Sequence, residues 1–375
     1  MTTFLRSARA HRKAAATLVV AAAFAVAAAG CSGDDEDEPA KDGIVARMLP
    51  PVVDTGEKAH KADKADLTIE GSVEPAVGGE TVQLEVRRDD EWSVIDTDEQ
   101  DTEGNVVFVA PYRVEGEPQT YRLVAGEGVR SEQLESKVWE EKLAFDEPFD
   151  GDSLGDRWMH RLQGYSVEAR DCSKPDPSMV EVGGGVAAMS VALDPDASGP
   201  CKYEGEQYDH RLNANFGTES SFRFKYGFAA ARMKFHQERG QHAAFWMQPA
   251  DGMGGGAEID VIEWFGRRPH TGLASYVHYA DGDDKVKSGG WIEDPGQYGK
   301  KWWKRYHVFS VEWTPEKYVF RIDGQITSVL EEGIAEVDEF LILSNLSSNY
   351  ELELLPKESD LPQTTLVDWV RVWRP

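Results

Sequence analysis

The sequence has little cysteine, few cations and almost no helical periodicity. Its 375 residues include three Cys, none in a CxxC pair or beside a His cluster, so a zinc-type metal site is not predicted. Lys and Arg number 40 against 67 Asp and Glu, a net charge of −27. This charge repels phosphate backbones and disfavours heavily sulfated or carboxylated polymers. We therefore expect no nucleic-acid partner, whereas a neutral polymer is compatible with the charge.

The only long apolar run lies near the N-terminus. It extends from Thr17 to Ala29, too short for a mature membrane helix, and follows four Arg and Lys between residues 6 and 13. Residues 1–30 thus read as an export signal. The ending Ala-Ala-Gly-Cys31 resembles a bacterial lipoprotein signal, which implies acylation of Cys31 as the mature N-terminus. An ordinary signal peptide is the alternative.

The cysteine count bears on the compartment. If Cys31 carries lipid, Cys172 and Cys201 remain and can form a disulfide in an oxidising environment. We therefore expect an exported protein, lipid-anchored on the extracellular face of the cell membrane or in the periplasm.

Three segments follow the signal. Residues 31–66 are rich in Asp, Glu, Lys, Ala and Pro, which predicts a solvated, disordered tether. Residues 67–141 contain short strand patterns between turn signals and predict a small Ig-like β-sandwich without clustered acids. Residues 142–375 alternate apolar residues over many strand lengths, so they predict sheets closed on one another as a sandwich or jelly roll, and the resemblance given below implies the β-jelly-roll sandwich. The predicted fold class is all-β.

The chemistry lies in the acid-rich strand Glu-Ile-Asp-Val-Ile-Glu, which begins at Glu258. Residues two apart share a face of a strand, so Glu258 and Asp260 point the same way. Glu263 is out of phase by one residue. A β-bulge near Val261 and Ile262 restores the phase and brings all three acids to one face.

Glycoside hydrolysis uses such an arrangement. A retaining enzyme needs two carboxyl groups about 5 Å apart, one ionised as nucleophile and one protonated as acid. Asp260, between them, would hold Glu258 and raise the pKa of Glu263 by like-charge crowding.

These residues, with ordered matches around them, resemble glycoside hydrolase family sixteen, the laminarinase-like β-jelly-roll enzymes. The resemblance implies Glu258 as nucleophile, Glu263 as acid/base and Asp260 as assisting carboxylate. Two residues between Asp260 and Glu263 resemble the β-1,3-glucanase, agarase and carrageenase members. The expected reaction is endo-cleavage of a neutral β-glycan polysaccharide, most simply a β-1,3-glucan, with no cofactor. The supporting segments are FDEPFDGDSLGDRW, YGFAAARMKF, AAFWMQP, YVHY, HVFSVEWTPEKYVFRIDG and VDWVRVW.

The resemblance extends to further residues. It implies a role for His278 at the acid or in substrate binding, and Trp246 and Trp264 are candidates for sugar stacking. Family members often hold a structural calcium, whose ligands would match Glu147 and Asp368.

One departure is visible at the start of the segment HAAFW. Laminarinases usually have Trp-Pro-Ala-Phe-Trp where this chain has His242-Ala-Ala-Phe-Trp246, so the cleft floor differs.

Two other functions use the same residues. A glycan-binding protein on the same fold would normally have lost a catalytic Glu, and both are present. A transglycosylase differs only in whether a sugar or water accepts the glycosyl group. In each case we expect a monomer.

Overall fold

The computed structural model describes residues 43–56, 64–162, 164, 169–250, 254–267, 272–282 and 284–375. The predicted signal, Cys31 and the first part of the predicted tether lie outside the described residues. Within the described ranges, no helix combines the length and apolarity needed to cross a membrane.

Where the structure describes it, the N-terminal module has ten strands and one short α-helix, α1 (Val138–Glu141). The strands are β1 (Gly43–Met48), β2 (Asp66–Glu74), β3 (Thr81–Arg88), β4 (Glu91–Glu99), β5 (Asn105–Pro111), β6 (Arg113–Val114), β7 (Glu117–Pro118), β8 (Thr120–Ala125), β9 (Val129–Arg130) and β10 (Leu134–Glu135).

Two small antiparallel sheets of this module enclose one apolar core. One sheet has the order β1-β2-β5, and the other has β10-β8-β3-β4, with β9 beside β8. Alternating side chains such as Leu67, Leu84 and Phe108 meet between the sheets. The two-sheet arrangement agrees with a sandwich, and its Ig-like character stays a prediction.

The tether prediction is wrong where β1 begins. Gly43–Met48 pairs antiparallel with β2, and Leu49 and Val52 are buried. The apolar residues of GIVARMLPPVV are buried in the core of the module. Their burial stabilises a folded conformation in a segment whose overall composition is polar.

In its described residues, the C-terminal domain is a larger β-structure of eighteen strands connected by loops and short 3₁₀ helices. The strands are β11 (Leu143–Glu147), β12 (Met159–His160), β13 (Ser173–Pro175), β14 (Val180–Gly183), β15 (Val186–Leu193), β16 (Cys201–Tyr203), β17 (Glu206–Tyr208), β18 (Arg211–Gly217), β19 (Gly227–Lys234), β20 (His242–Pro249), β21 (Ala257–Trp264), β22 (Leu273–Asp281), β23 (Asp284–Trp291), β24 (His307–Trp313), β25 (Tyr318–Ile322), β26 (Gln325–Leu330), β27 (Glu339–Leu346) and β28 (Gln363–Trp373). The 3₁₀ helices are Pro177–Met179, Pro295–Tyr298, Trp302–Lys304, Asn349–Leu354 and Glu358–Asp360.

The long strands form two layers of a jelly-roll sandwich. Their hydrogen-bonded order is β23-β22-β21-β20-β27-β18-β15-β28-β19-β24-β25-β26, and β15 links the layers because it pairs with both β18 and β28. Aromatic and aliphatic side chains, among them Phe245, Ile259 and Phe309, fill the space between them. The predicted all-β jelly roll is confirmed. The open face of the first layer carries the acid-rich strand β21.

The predicted disulfide is present. Cys172 and Cys201 are bonded, with their Cα atoms 5.4 Å apart, and tie the β16–β17 hairpin to the segment before β13. Leu352 packs on this bridge from the 3₁₀ helix Asn349–Leu354.

The module packs on the outer face of the second layer. Phe228, Trp369 and Trp373 of the jelly roll belong to the same apolar cluster as the module core. Ion pairs cross the same interface, because Arg47 Nη1 donates to Glu312 at 2.6 Å and Glu312 also accepts from Arg321 Nη1 at 2.9 Å. The two units therefore share a continuous buried interface.

Candidate active site

A β-bulge sets the phase of the acid-rich strand. In the pairing of β21 with β22, the register shifts between Asp260 and Glu263, and in the pairing with β20 it shifts at the same place. Val261 and Ile262 are both buried at the bulge, and Ser275 Oγ donates to the Val261 carbonyl at 2.9 Å. The bulge predicted at these residues is confirmed.

The bulge brings the three acids to one face of the sheet. Directly opposite residues in an antiparallel pair lie on the same face. The partners of Glu258, Asp260 and Glu263 on β22 are, in order, His278, Tyr276 and Ala274. These partners are two residues apart, so their side chains point the same way. The three carboxyl groups consequently share the open face of the first layer.

The surroundings of the site raise the pKa of two of the three acids. Burial first, and then the charge of Asp260, raise the pKa of Glu263 to about 8, although His242 and His278 act in the opposite direction. Burial and the neighbouring Glu258 also raise the pKa of Asp260 well above its usual range. Glu263 is therefore mostly protonated near neutral pH, as a general acid must be.

Glu258 is held by a short chain of hydrogen bonds from the neighbouring strands. Gln248 Nε2 donates to Glu258 Oε2 at 3.0 Å, and Arg161 Nη2 donates to Gln248 Oε1 at 3.1 Å. Arg161 also pairs with Glu219. Since Arg161 fixes the amide orientation, Gln248 presents its NH₂ group to Glu258 and stabilises the ionised carboxylate.

His278 lies beside Glu258 and Asp260, while its predicted role at the acid or in substrate binding stays a prediction. Its Nε2 is 3.3 Å from Asp260 Oδ2, and ligand atoms of Glu258, Asp260 and His278 lie within 4.8 Å of one another. Proton exchange with Asp260 is therefore possible at this distance.

The two Trp residues proposed for sugar stacking lie on different sides of the sheet. Trp246 lies opposite Asp260 on β20, on the acid face, and its Nε1 donates to Ser344 Oγ at 3.1 Å. Trp264 is 2% exposed in the sandwich core, against Phe235 and Trp302. Its prediction as a sugar-stacking residue is wrong, because the residue after Glu263 must point to the other face of the strand.

The two predicted calcium ligands lie in different surroundings. Asp368 accepts from Arg232 Nη1 at 2.6 Å on the module side, whereas Glu147 lies opposite Val370, whose side chain is in the jelly-roll core. Glu147 accepts from the Phe149 N–H and from Trp158 Nε1. Among the described residues, the only close group of three or more candidate ligands is at the acids. Each carboxylate thus has donors of its own in the chain, and the calcium site stays a prediction.

The sequence analysis did not predict several residues and contacts of this face. Trp291, which is 40% exposed, lies opposite Ala274 on β23 and so adjoins Glu263 on the same face. Gln248 is two residues beyond Trp246, a spacing that predicts the same face. The contact between His242 and Glu351 joins segments 109 residues apart and has no local signal.

The family comparison covers the central strands. Residues 192–348 match the model of glycosyl hydrolases family 16. This is the family that the acid-rich strand resembles. The matched segment includes β18 to β27 and all three acids.

Two curated relatives align over about half of this chain. The glucan endo-1,3-beta-glucosidase A1 of Niallia circulans is 30% identical over 188 residues, which are 45% of this chain and 27% of the relative. The beta-glucanase of Rhodothermus marinus is 27% identical over 206 residues, 50% of this chain and 64% of the relative. The chain thus covers less than two thirds of the length of either relative.

Solved structures share the fold. The laminarinase catalytic domain of Thermotoga maritima MSB8 superposes with a TM-score of 0.51 at 21% identity, over 62% of this chain and 98% of that domain. SCLam, a non-specific endo-beta-1,3(4)-glucanase from family GH16, gives a TM-score of 0.52 at 18% identity, over 62% of this chain and 91% of that protein. The aligned share corresponds in size to the jelly-roll domain, whose fold these structures share.

Proposed function

We propose that this chain is a glycosyl hydrolase of family 16 that cleaves a neutral β-glucan internally and with retention of anomeric configuration. The observation that carries the proposal is the bulge at Val261, which aligns three carboxyl groups on an open face while the pKa of Glu263 is about 8. The names of the relatives and structural neighbours, which are endo-β-1,3-glucanases and β-glucanases, support β-1,3 linkages.

The proposed mechanism assigns one role to each acid. Glu258, with Gln248 donating to it, attacks the anomeric carbon as the ionised nucleophile, while protonated Glu263 gives its proton to the leaving oxygen. Water then enters, and Glu263 removes its proton as the glycosyl–Glu258 bond breaks. Asp260 raises the pKa of Glu263, and His278 contacts Asp260.

The open face suits a flat polymer. Trp246 and Trp291 present aromatic rings on either side of the acids, on β20 and β23, and such rings stack on the apolar faces of sugars. The net charge of −27 favours a neutral chain over an acidic one. We further propose export and acylation of Cys31, which would hold this enzyme at the membrane.

The test uses the purified full chain with laminarin, lichenan, agarose and carrageenan. We expect new reducing ends with laminarin, a fast loss of viscosity that marks internal cleavage, and a first-formed anomer of retained configuration by NMR. Glu258→Ala is the control and should release none. Lack of product from all four polymers, or an inverted first product, contradicts the proposal.

A further inference from the structure

His242 replaces an expected aromatic residue at the edge of the acid face. Its ring stacks on Phe265, with centroids 5.1 Å apart and an interplanar angle of 23°, and on Tyr350 at 6.0 Å and 24°. The imidazole is therefore held by two stacked aromatic rings, as a larger ring would be. It differs from a Trp ring in having two nitrogen atoms, one of which can accept or carry an additional proton.

One of these nitrogens is bound by Glu351. His242 Nδ1 is 2.8 Å from Glu351 Oε2, which also accepts from the Ser348 N–H at 3.0 Å. Glu351 is 3% exposed, so its carboxylate is oriented by both donors. The carboxylate requires a proton on Nδ1, which fixes the ring orientation and leaves Nε2 facing away from Glu351.

The second nitrogen, Nε2, has no hydrogen-bond partner among the described residues. His242 is 5% exposed, so only a small part of the residue remains accessible to a ligand. His242 lies two residues before Ala244, which is opposite Glu263, so the imidazole shares the face of the acids. A sugar bound beside Glu263 would therefore lie next to the imidazole of His242.

Several charged or titratable groups act on this ring. Burial lowers the pKa of His242, but Glu351, with its hydrogen bond, and Glu263 raise it, and the net direction is upward despite the nearby Arg170. The Tyr350 hydroxyl lies 3.3 Å from the same Nδ1. His236, in the preceding segment, is neutral, because burial and then His242 lower its pKa to about 3. The upward direction for His242 favours the imidazolium form, in which Nε2 also carries a proton that it can donate.

We propose that His242, held by Glu351, is a substrate-binding residue that donates from Nε2 to a hydroxyl oxygen of the sugar next to Glu263. The inference rests on the proposed function and names a charge-assisted contact that a Trp at this position, whose indole N–H is a neutral donor, does not make. Such a donor selects sugars with a free acceptor oxygen there and weakens binding when the imidazolium loses its charge.

The experiment measures binding without turnover. In the full-length Glu258→Ala protein, calorimetry gives the Kd of a β-1,3-linked glucotetraose between pH 5.5 and 8.5. His242→Phe, which keeps the stacked ring, should weaken binding at low pH by about tenfold or more, the usual effect of losing a charge-assisted hydrogen bond. In Glu351→Gln, the loss of sugar affinity that accompanies rising pH should occur at lower pH than in the parent. Titration of Glu263 also affects the Kd, but Glu263 is present in the parent and in both variants.

A matched control exists outside the cleft. His307 Nδ1 lies 2.6 Å from Asp323 Oδ2 on the other layer, so Asp323→Asn breaks a histidine–carboxylate pair without touching the acid face. This variant should keep the parental Kd at each pH.

The outcomes separate the two proposals. Equal Kd values for the parent and His242→Phe, with both proteins folded by circular dichroism, overturn the role of His242 and leave the hydrolase intact. If His242→Phe does not fold, Glu351→Gln and the ring ¹⁵N shifts of His242 decide the matter, and a Nε2 signal indifferent to the sugar refutes it. No binding of the sugar by the parent, together with no hydrolysis by wild type, overturns both.

Discussion

The protonation of Glu263 makes a prediction that kinetics can test over a wide range. A carboxyl group with its usual pKa of about 4.3 is protonated in only about 0.2% of molecules at pH 7. A pKa of about 8 raises the protonated fraction to about 90%, so the active population increases by a factor of several hundred. The kcat/KM for laminarin should therefore stay high through neutral pH and fall along a basic limb near pH 8.

The basic limb should respond to the causes of the shift. Asp260→Asn removes the like charge, so we expect the limb to move to lower pH; burial, the larger cause, remains. Glu263→Ala should abolish laminarin cleavage but spare the glycosylation step for an aryl glycoside with an activated leaving group, which needs little protonation. With that substrate, the limb near pH 8 should disappear.

The assay is initial rate against pH for both substrates, in wild type and the two variants. Azide adds a stereochemical readout, because rescue should give an inverted glycosyl azide with Glu258→Ala and a retained one with Glu263→Ala. A wild-type basic limb near pH 4 to 5, or a limb unchanged in Glu263→Ala, would refute the assignment of the acid.

Three further predictions concern other parts of the chain. Trp246→Ala should raise KM about tenfold with little loss of stability. Trp264→Ala should lower the free energy of unfolding by about 3 to 5 kcal/mol, because it leaves a cavity in the core. Equal losses of stability for the two variants in denaturant titrations would contradict this. Glu312→Gln should destabilise the chain by about 3 kcal/mol, since Arg321 loses a buried counter-charge. Burial raises the pKa of Glu312, but Arg321 and Arg47 lower it overall. The contribution of Glu312 to the free energy of unfolding should therefore be complete above its unfolded-state pKa and be lost as the pH falls through its folded-state pKa. A stability difference between wild type and Glu312→Gln that does not change with pH would contradict this. Cys31→Ser should release the exported protein from the membrane fraction, and mass spectrometry of an unmodified wild-type N-terminus would exclude acylation.

Local patterns in the sequence were sufficient for much of this protein. The period of two predicts strands, and the mismatch between Asp260 and Glu263 requires an extra residue if the acids are to share a face. The structure confirms that bulge because the pattern itself records which side chains are buried. The pairing of Cys172 with Cys201 followed from a count.

Composition over a window was less reliable. The segment before residue 66 is polar on average, yet the apolar letters of Gly43–Met48 complete a sheet that lies on the jelly roll. Trp264 was misassigned although its own strand phase places it in the core. Aromatic content alone does not reveal which face a ring occupies.

Long-range contacts were decided only by the tertiary structure. Arg232 bonds Asp368 across 136 residues, and Glu351 meets His242 across 109. The hydrogen bonds from Arg161 through Gln248 to Glu258 likewise join two strands to the segment that follows β12. These pairings cannot be predicted from a periodic pattern in the sequence, because such a pattern shows which face of a strand a residue lies on and not which distant residue it contacts. The acid-rich strand thus indicates the chemistry, whereas the charge and orientation of each acid come from partners that folding brings to it.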